Sequence, residues 1–223
     1  MVKDEIVKKL NSFSGKYSPS IVFSDWVHIM QIAIQNSCVL KHDQIWQRRE
    51  EEYKSLWNKY DQEEQEKFAE MFVMLVDAFE ERIEDVLGYI YMNSNCYNKG
   101  LGQFFTPYHL SYLTAKLNID INNLPRDEDG KISIHEPSCG GGGMVIGAIE
   151  YLAENNINFQ KEVKVVAQDL DLLAVGMTYV QLSLLGVDAI IAQGDTLCEP
   201  YSPGRPFDKS RVWRSPKNSG ALI

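Results

Sequence analysis

His135-Glu-Pro-Ser-Cys-Gly-Gly-Gly-Gly-Met-Val-Ile-Gly-Ala-Ile149 (HEPSCGGGGMVIGAI) sets four consecutive glycines between a short apolar run and a stretch with helical spacing. Each glycine loses more backbone freedom on folding than another residue would. Four in a row therefore mark a tight turn where something approaches the backbone too closely for side chains.

The flanking text alternates in period. KISIHEP (131–137) reads as a strand and MVIGAIEYLAENN (144–156) as a helix. EVKVVAQDL (162–170) reads as a second strand, LLAVGMTYVQLSLLG (172–186) as a helix, and VDAIIAQGD (187–195) as a third strand. This order implies parallel strands joined by right-handed crossovers, an α/β fold. The glycine run then sits at the carboxyl end of the first strand, where open α/β sheets bind ligands.

Two phosphate-binding templates fail. Gly142 and Gly147 have the glycine spacing of a P-loop, but Ala148 and Ile149 follow, so the phosphate-binding lysine is missing. A dinucleotide fingerprint started at Gly140 or Gly141 meets Val145 or Ile146 where the third glycine belongs. A third template needs no phosphate. Asp169 closes the second strand and can take both ribose hydroxyls of a nucleoside; Asp195 follows the third and can accept from an adenine amine. With Glu136, these carboxylates rim one crevice suited to a cationic, amine-bearing nucleoside such as S-adenosylmethionine.

Four segments, GQFFTP (102–107), HEPSCGGGG (135–143), VVAQDLD (165–171) and AQGDTL (192–197), resemble in order and spacing the motifs of adenine-N6 DNA methyltransferases. The modification subunit of type I restriction–modification systems is the nearest likeness, over about residues 60–208. The resemblance implies a Rossmann-like S-adenosylmethionine-dependent methyltransferase fold. It implies that Phe105, Thr106 and Pro107 close over the methionine part of S-adenosylmethionine. The loop from Glu136 through Pro137 would wrap the cofactor, with Ser138, Gly140 and Gly142 close to it. Asp169 would hold the ribose, Leu170 would lie on the adenine face, and Asp195, beside Thr196, would read the adenine amine. Cys139 is expected as a small buried filler and His135 as a strand-end side chain.

The same family carries, after a fourth strand, an Asn/Asp-Pro-Pro-aromatic tetrapeptide that holds the flipped adenine. This sequence has no Pro-Pro; Ser215-Pro216-Lys217-Asn218 stands near the expected place without the second proline or the aromatic. No catalytic residue is therefore assigned, and the expected fold is incomplete. Only three strands are legible, so one edge of the first strand is expected to need cover from the N-terminal helices, the basic tail or a second chain.

The organisation expected is a helical segment over 1–99, a partial methyltransferase domain over 100–208 and a basic tail over 209–223. In the first, FSDWVHIMQIAIQNS, HDQIWQRREEEYKSLWNKY and DQEEQEKFAEMFVMLVDAFEERIEDVLGYIYMNS carry helical periodicity. Ser24 or Asp25 is the candidate cap of the first, and Glu50–Glu52 and Glu63–Glu66 read as solvated faces. The tail holds Lys209, Arg211, Arg214 and Lys217 with no acid and reads as a frayed end.

The net charge of −9 gives no overall basic footprint. DNA contact is thus expected only within a complex, with specificity and restriction subunits as candidate partners. The four cysteines form no CxxC pair, which argues against zinc and for a reduced, cytoplasmic chain. No apolar run approaches membrane-spanning length. Two readings stay open: a DNA adenine-N6 methyltransferase-like chain inactive alone, or a non-catalytic cofactor- or subunit-binding module regulating a restriction–modification complex.

Overall fold

The computed structural model describes residues 2–13, 15–94, 96 and 105–219. Gly102, Gln103 and Phe104 of GQFFTP lie outside the described residues. Five helices come first: α1 (Val2–Asn11), α2 (Pro19–Ser37), α3 (Gln44–Trp57), α4 (Gln62–Glu81) and α5 (Val86–Asn93). Helix α6 (Tyr108–Asn118) leads into β1 (Ile132–Glu136), α7 (Gly143–Glu154), the single turn α8 (Phe159–Glu162), β2 (Val163–Asp169), α9 (Leu172–Leu184), β3 (Asp188–Gln193) and β4 (Val212–Arg214).

Aspartate side chains cap α3, α4, α5 and α9, and the helix starts correct two sequence expectations. Helix α2 begins at Pro19, whose fixed φ suits a first helical turn, five residues before the expected Ser24 cap. The long periodic stretch from Asp61 breaks into two helices. Asp61 and Glu64 form a reciprocal capping box at the start of α4, so Glu64 is buried rather than part of a solvated face. Arg82 then leaves helical geometry (φ −160°, ψ 146°), and its guanidinium reaches Glu150 Oε1 at 3.0 Å. Asp85 restarts the chain as α5 by accepting from Gly88 N–H at 2.9 Å.

The sheet order is β1-β2-β3-β4. The first three strands are parallel as expected, with Glu136 opposite Ala167 and Asp169 opposite Gln193. The fourth is a departure: residues of the basic tail run antiparallel to β3, Ile191 facing Trp213. Long-range contacts hold it there. Arg49 of α3 lies 3.9 Å from the Trp213 ring centroid and donates to the Ser210 and Val212 carbonyls at 3.2 and 3.0 Å. Gln35 Oε1 of α2 accepts from Arg214 N–H at 2.8 Å. The tail therefore covers the β3 edge, and among the described residues no strand pairs with the outer edge of β1.

Alternate strand residues point to opposite faces. Ile132, Val163, Val165, Ala167, Ala189 and Ile191 share one core with α7, α9 and the N-terminal helices. That core draws on described residues from both sides of the expected boundary near residue 100. On the other face a small cluster of Ile190, Ala192 and Tyr201 is packed by Val166, Phe207 and Val212, while Ser133 and His135 are exposed. Cβ atoms are what Gly176 and Gly147 lack for packing. At Gly176 one would stand 3.0 Å from Val27 of α2; at Gly147, 2.9 Å from the Ser111 and Tyr112 backbone of α6. The glycine that mimicked P-loop spacing thus serves helix–helix approach.

Candidate functional site

The turn between β1 and α7 is fixed by its own backbone hydrogen bonds. Cys139 N–H donates to the Gln168 carbonyl at 3.0 Å and Gly142 N–H to the Cys139 carbonyl at 2.8 Å. Gly140 and Gly142 adopt φ of +52° and +91°, the left-handed region that side chains disfavour. At all four glycines an added Cβ would meet the protein's own atoms: Phe105 at Gly140 (3.2 Å), Met177 at Gly141 (2.9 Å), Thr178 at Gly142 (3.0 Å) and Asp85 at Gly143 (2.9 Å). The close approach anticipated from the sequence comes first from the fold itself.

Asp169 organises the loop. Its Oδ2 accepts from Gly140 N–H at 2.8 Å, its Oδ1 from Asp171 N–H at 3.0 Å, and its carbonyl from Gly194 N–H at 2.9 Å. One residue therefore ties together the ends of all three parallel strands. A carboxylate has about four lone-pair sites, so each oxygen retains acceptor capacity. Glu136 Oε1 accepts from Ser138 N–H at 3.2 Å, closing the turn on itself. Thr196 Oγ1 donates to the Pro137 carbonyl at 2.5 Å and locks the third loop to the first.

These bonds frame a cleft of about 370 Å³ lined by Pro137, Ser138, Asp169, Leu170, Gly194, Asp195, Thr196 and Leu197. Leu170 and Leu197 are 69% and 94% exposed, leaving two large apolar side chains at an otherwise polar rim. The Asp195 carboxyl is held below the usual carboxylate range, first by the Leu197 N–H bond and then by Cys198. Burial pushes the Cys139 thiol up to about 12, so it is an inert filler as expected.

Six of the twelve expected cofactor residues line this cleft together: Pro137, Ser138, Asp169, Leu170, Asp195 and Thr196. Glu136, Gly140 and Gly142 do not line it, although Glu136 and Gly140 bond to the lining residues Ser138 and Asp169. Phe105, Thr106 and Pro107 stand elsewhere, in a second cleft of about 310 Å³ shared with Asp85, Gly88, Tyr89 and Met92. Phe105 joins the two regions, packing toward Gly140 on one side and edge-on to Tyr91 at 5.1 Å on the other. The sequence reading missed Leu197 and Gly194, although both lie within or beside AQGDTL. The available signal was a large apolar residue, Leu197, two positions after Asp195 in a polar turn.

Three parallel strands, a glycine turn after the first, an acid closing the second and an antiparallel fourth at the edge make a Rossmann-like α/β fold. A crystal structure of a class I S-adenosylmethionine-dependent methyltransferase from Listeria monocytogenes shares it. The TM-score is 0.51 at 14% identity, covering 96% of this chain and 66% of that one. The N-6 DNA methylase family profile matches residues 76–211, and the chain belongs to that family. It is 30% identical over 134 residues to the type I restriction enzyme MjaIX methylase subunit of Methanocaldococcus jannaschii. That match covers 58% of this chain and 22% of the relative, so the chain spans about a fifth of the relative's length. The type I restriction–modification methyltransferase subunit from Streptococcus thermophilus is a more distant structural likeness, with a TM-score of 0.43 at 18% identity, over 88% of this chain and 45% of that one.

Proposed function

We propose that this chain binds S-adenosylmethionine at the carboxyl ends of β1–β3, as the cofactor-holding part of a restriction–modification DNA adenine-N6 methyltransferase. The donor set fits that molecule. Asp169 and Asp195 offer acceptors for hydroxyl and amine hydrogens, Leu170 and Leu197 offer apolar faces to a base, and among the described residues no Lys or Arg lines the cleft to meet a pyrophosphate. When bound, S-adenosylmethionine supplies an electrophilic methyl group. The chain's own residues hold and orient: Asp169 the ribose, Leu170 and Leu197 the adenine, Asp195 its amine, Phe105 the far side of the glycine loop. The observation that carries this reading is Asp169, braced by Gly140 N–H while facing the cleft.

The sequence contains no Asn/Asp-Pro-Pro-aromatic element to hold a target base, so methyl transfer by these residues alone is not expected. Among the described residues the outer edge of β1 pairs with no strand, which leaves room for another subunit and favours the second reading, a non-catalytic cofactor- or subunit-binding module regulating a restriction–modification complex. DNA contact and pairing with specificity or restriction subunits belong to that complex. Calorimetric titration with S-adenosylmethionine and a tritiated methyl-transfer assay on DNA test both parts. Saturable heat without label in DNA is the expected result. Absence of heat and of any thermal shift removes the cofactor reading; label in DNA removes the claim of inactivity.

A further inference from the structure

The helical segment before residue 100 reaches the glycine loop through one side chain. Gln181, on α9, is fully buried. Its Nε2 donates to the Gly141 carbonyl at 2.7 Å and to Asp85 Oδ1 at 2.9 Å, while its Oε1 accepts from Leu87 N–H at 2.9 Å. The partners fix the amide orientation, because a backbone N–H must meet the oxygen and a carbonyl must meet the nitrogen. Both amide donors and the oxygen are used, two bonds going to the start of α5 and one to the loop. One turn earlier on the same helix, Thr178 Oγ1 donates to the Gly140 carbonyl at 2.8 Å. Asp85 completes the junction by standing where a Gly143 side chain would be. The loop whose N–H group holds Asp169 is thus set from behind by α9 and, through Gln181, by α5.

We infer that Gln181 is a positioning residue for cofactor binding. It never faces the 370 Å³ cleft; it fixes the register of the Gly140–Gly141 peptides, which in turn aim Asp169. The N-terminal helices thereby become part of the framework of the site and not a separate appendage. This inference rests on the S-adenosylmethionine reading above.

The test uses the whole chain and three readouts: S-adenosylmethionine affinity by calorimetry, melting temperature, and hydrogen exchange of the Gly140 amide without cofactor. Gln181→Leu keeps the volume but removes all three hydrogen bonds. It is expected to weaken affinity by about tenfold and to speed Gly140 exchange by about the same factor, the scale of one lost buried hydrogen bond. Val180→Ala, a neighbouring core change in α9, is expected to lower the melting temperature while leaving affinity and Gly140 exchange near wild type. Wild-type affinity and exchange in a folded Gln181→Leu chain would overturn the inference, as would an equal loss in Val180→Ala.

If Gln181→Leu does not fold, Gln181→Glu and its combination with Asp85→Asn decide the matter. The single change sets two buried carboxyl groups against each other. The double change restores a donor–acceptor pair between 85 and 181 at the expense of the Gly88 N–H bond, since both wild-type bonds meet Asp85 Oδ1, and it leaves an oxygen facing the Gly141 carbonyl. Stability is expected to recover in part relative to Gln181→Glu while affinity stays low; recovery of affinity to wild type would show that the loop contact is dispensable. Should the wild-type chain bind no S-adenosylmethionine, the functional reading falls, and the exchange arm alone decides whether Gln181 holds the loop.

Discussion

Asp169 is a bracket before it is a ligand. Two N–H groups and one carbonyl bond tie it to Gly140, Asp171 and Gly194, so its removal alters the loop and the cleft together. Asp169→Ala is expected to weaken S-adenosylmethionine binding by about 1.5–3 kcal/mol, the range for hydrogen bonds to a charged group. Calorimetry would show it; unchanged affinity would exclude the residue from the site. Gly142 carries a different constraint. Its φ of +91° and the 3.0 Å distance from an added Cβ to Thr178 Oγ1 leave no room for alanine. Gly142→Ala is expected to cost about 1–2 kcal/mol of stability, read from the denaturation midpoint. Asp85 gives a pH signature. Burial, the dominant influence, holds its carboxyl above the ordinary value of 3.8 despite the bonds from Gln181 and Gly88. The folded state thus binds a proton that the unfolded state releases, and stability falls as pH rises from 3.8 through the folded-state value. Asp85→Asn should flatten that slope in denaturation series run at several pH values; an unaltered slope would assign it to other groups.

Among the elements, β1, β2, β3, α7 and α9 were legible because their signals are local: apolar alternation, an acid or glycine at each strand end, and runs of helical length. Strand β4 was not. It is three residues long, its sequence reads as a basic terminus, and its partners lie far away along the chain, Arg49 among them. No short window contains that information. The α4–α5 break was hidden for a similar reason, since Arg82 leaves the helix to meet Glu150 on α7. In the site, the acids and glycines were legible by chemistry. The separation of Phe105–Pro107 from the Asp169 cleft, and the role of Leu197, depend on how loops stack in space. Arg49→Ala tests the reach of α3. Loss of the Trp213 contact and of two carbonyl bonds is expected to cost about 2–3 kcal/mol. Faster amide exchange at Trp213 with an undisturbed β2 would mark the loss as local to β4; protection equal to wild type would show that Gln35 and β3 suffice.

Taken whole, the described residues bury one large core that runs from α1 to the parallel sheet, with a small second cluster on the sheet's other face. Among the described residues no helix is long and apolar enough to cross a membrane. A continuous core predicts cooperative unfolding, with helical circular dichroism and tryptophan fluorescence falling in one coincident transition. Two separated transitions would instead make the helical segment an independent unit.

The two flanks of the sheet are unequal. One ends in the five-residue β1 with no partner strand among the described residues, the other in the three-residue β4 bearing an exposed arginine. Short, charged borders resist recruiting further strands, whereas longer bare ones invite them. The β4 flank is therefore the blunt border of this sheet: Arg49 and Gln35 already hold its backbone, so a further strand could add there only by displacing them.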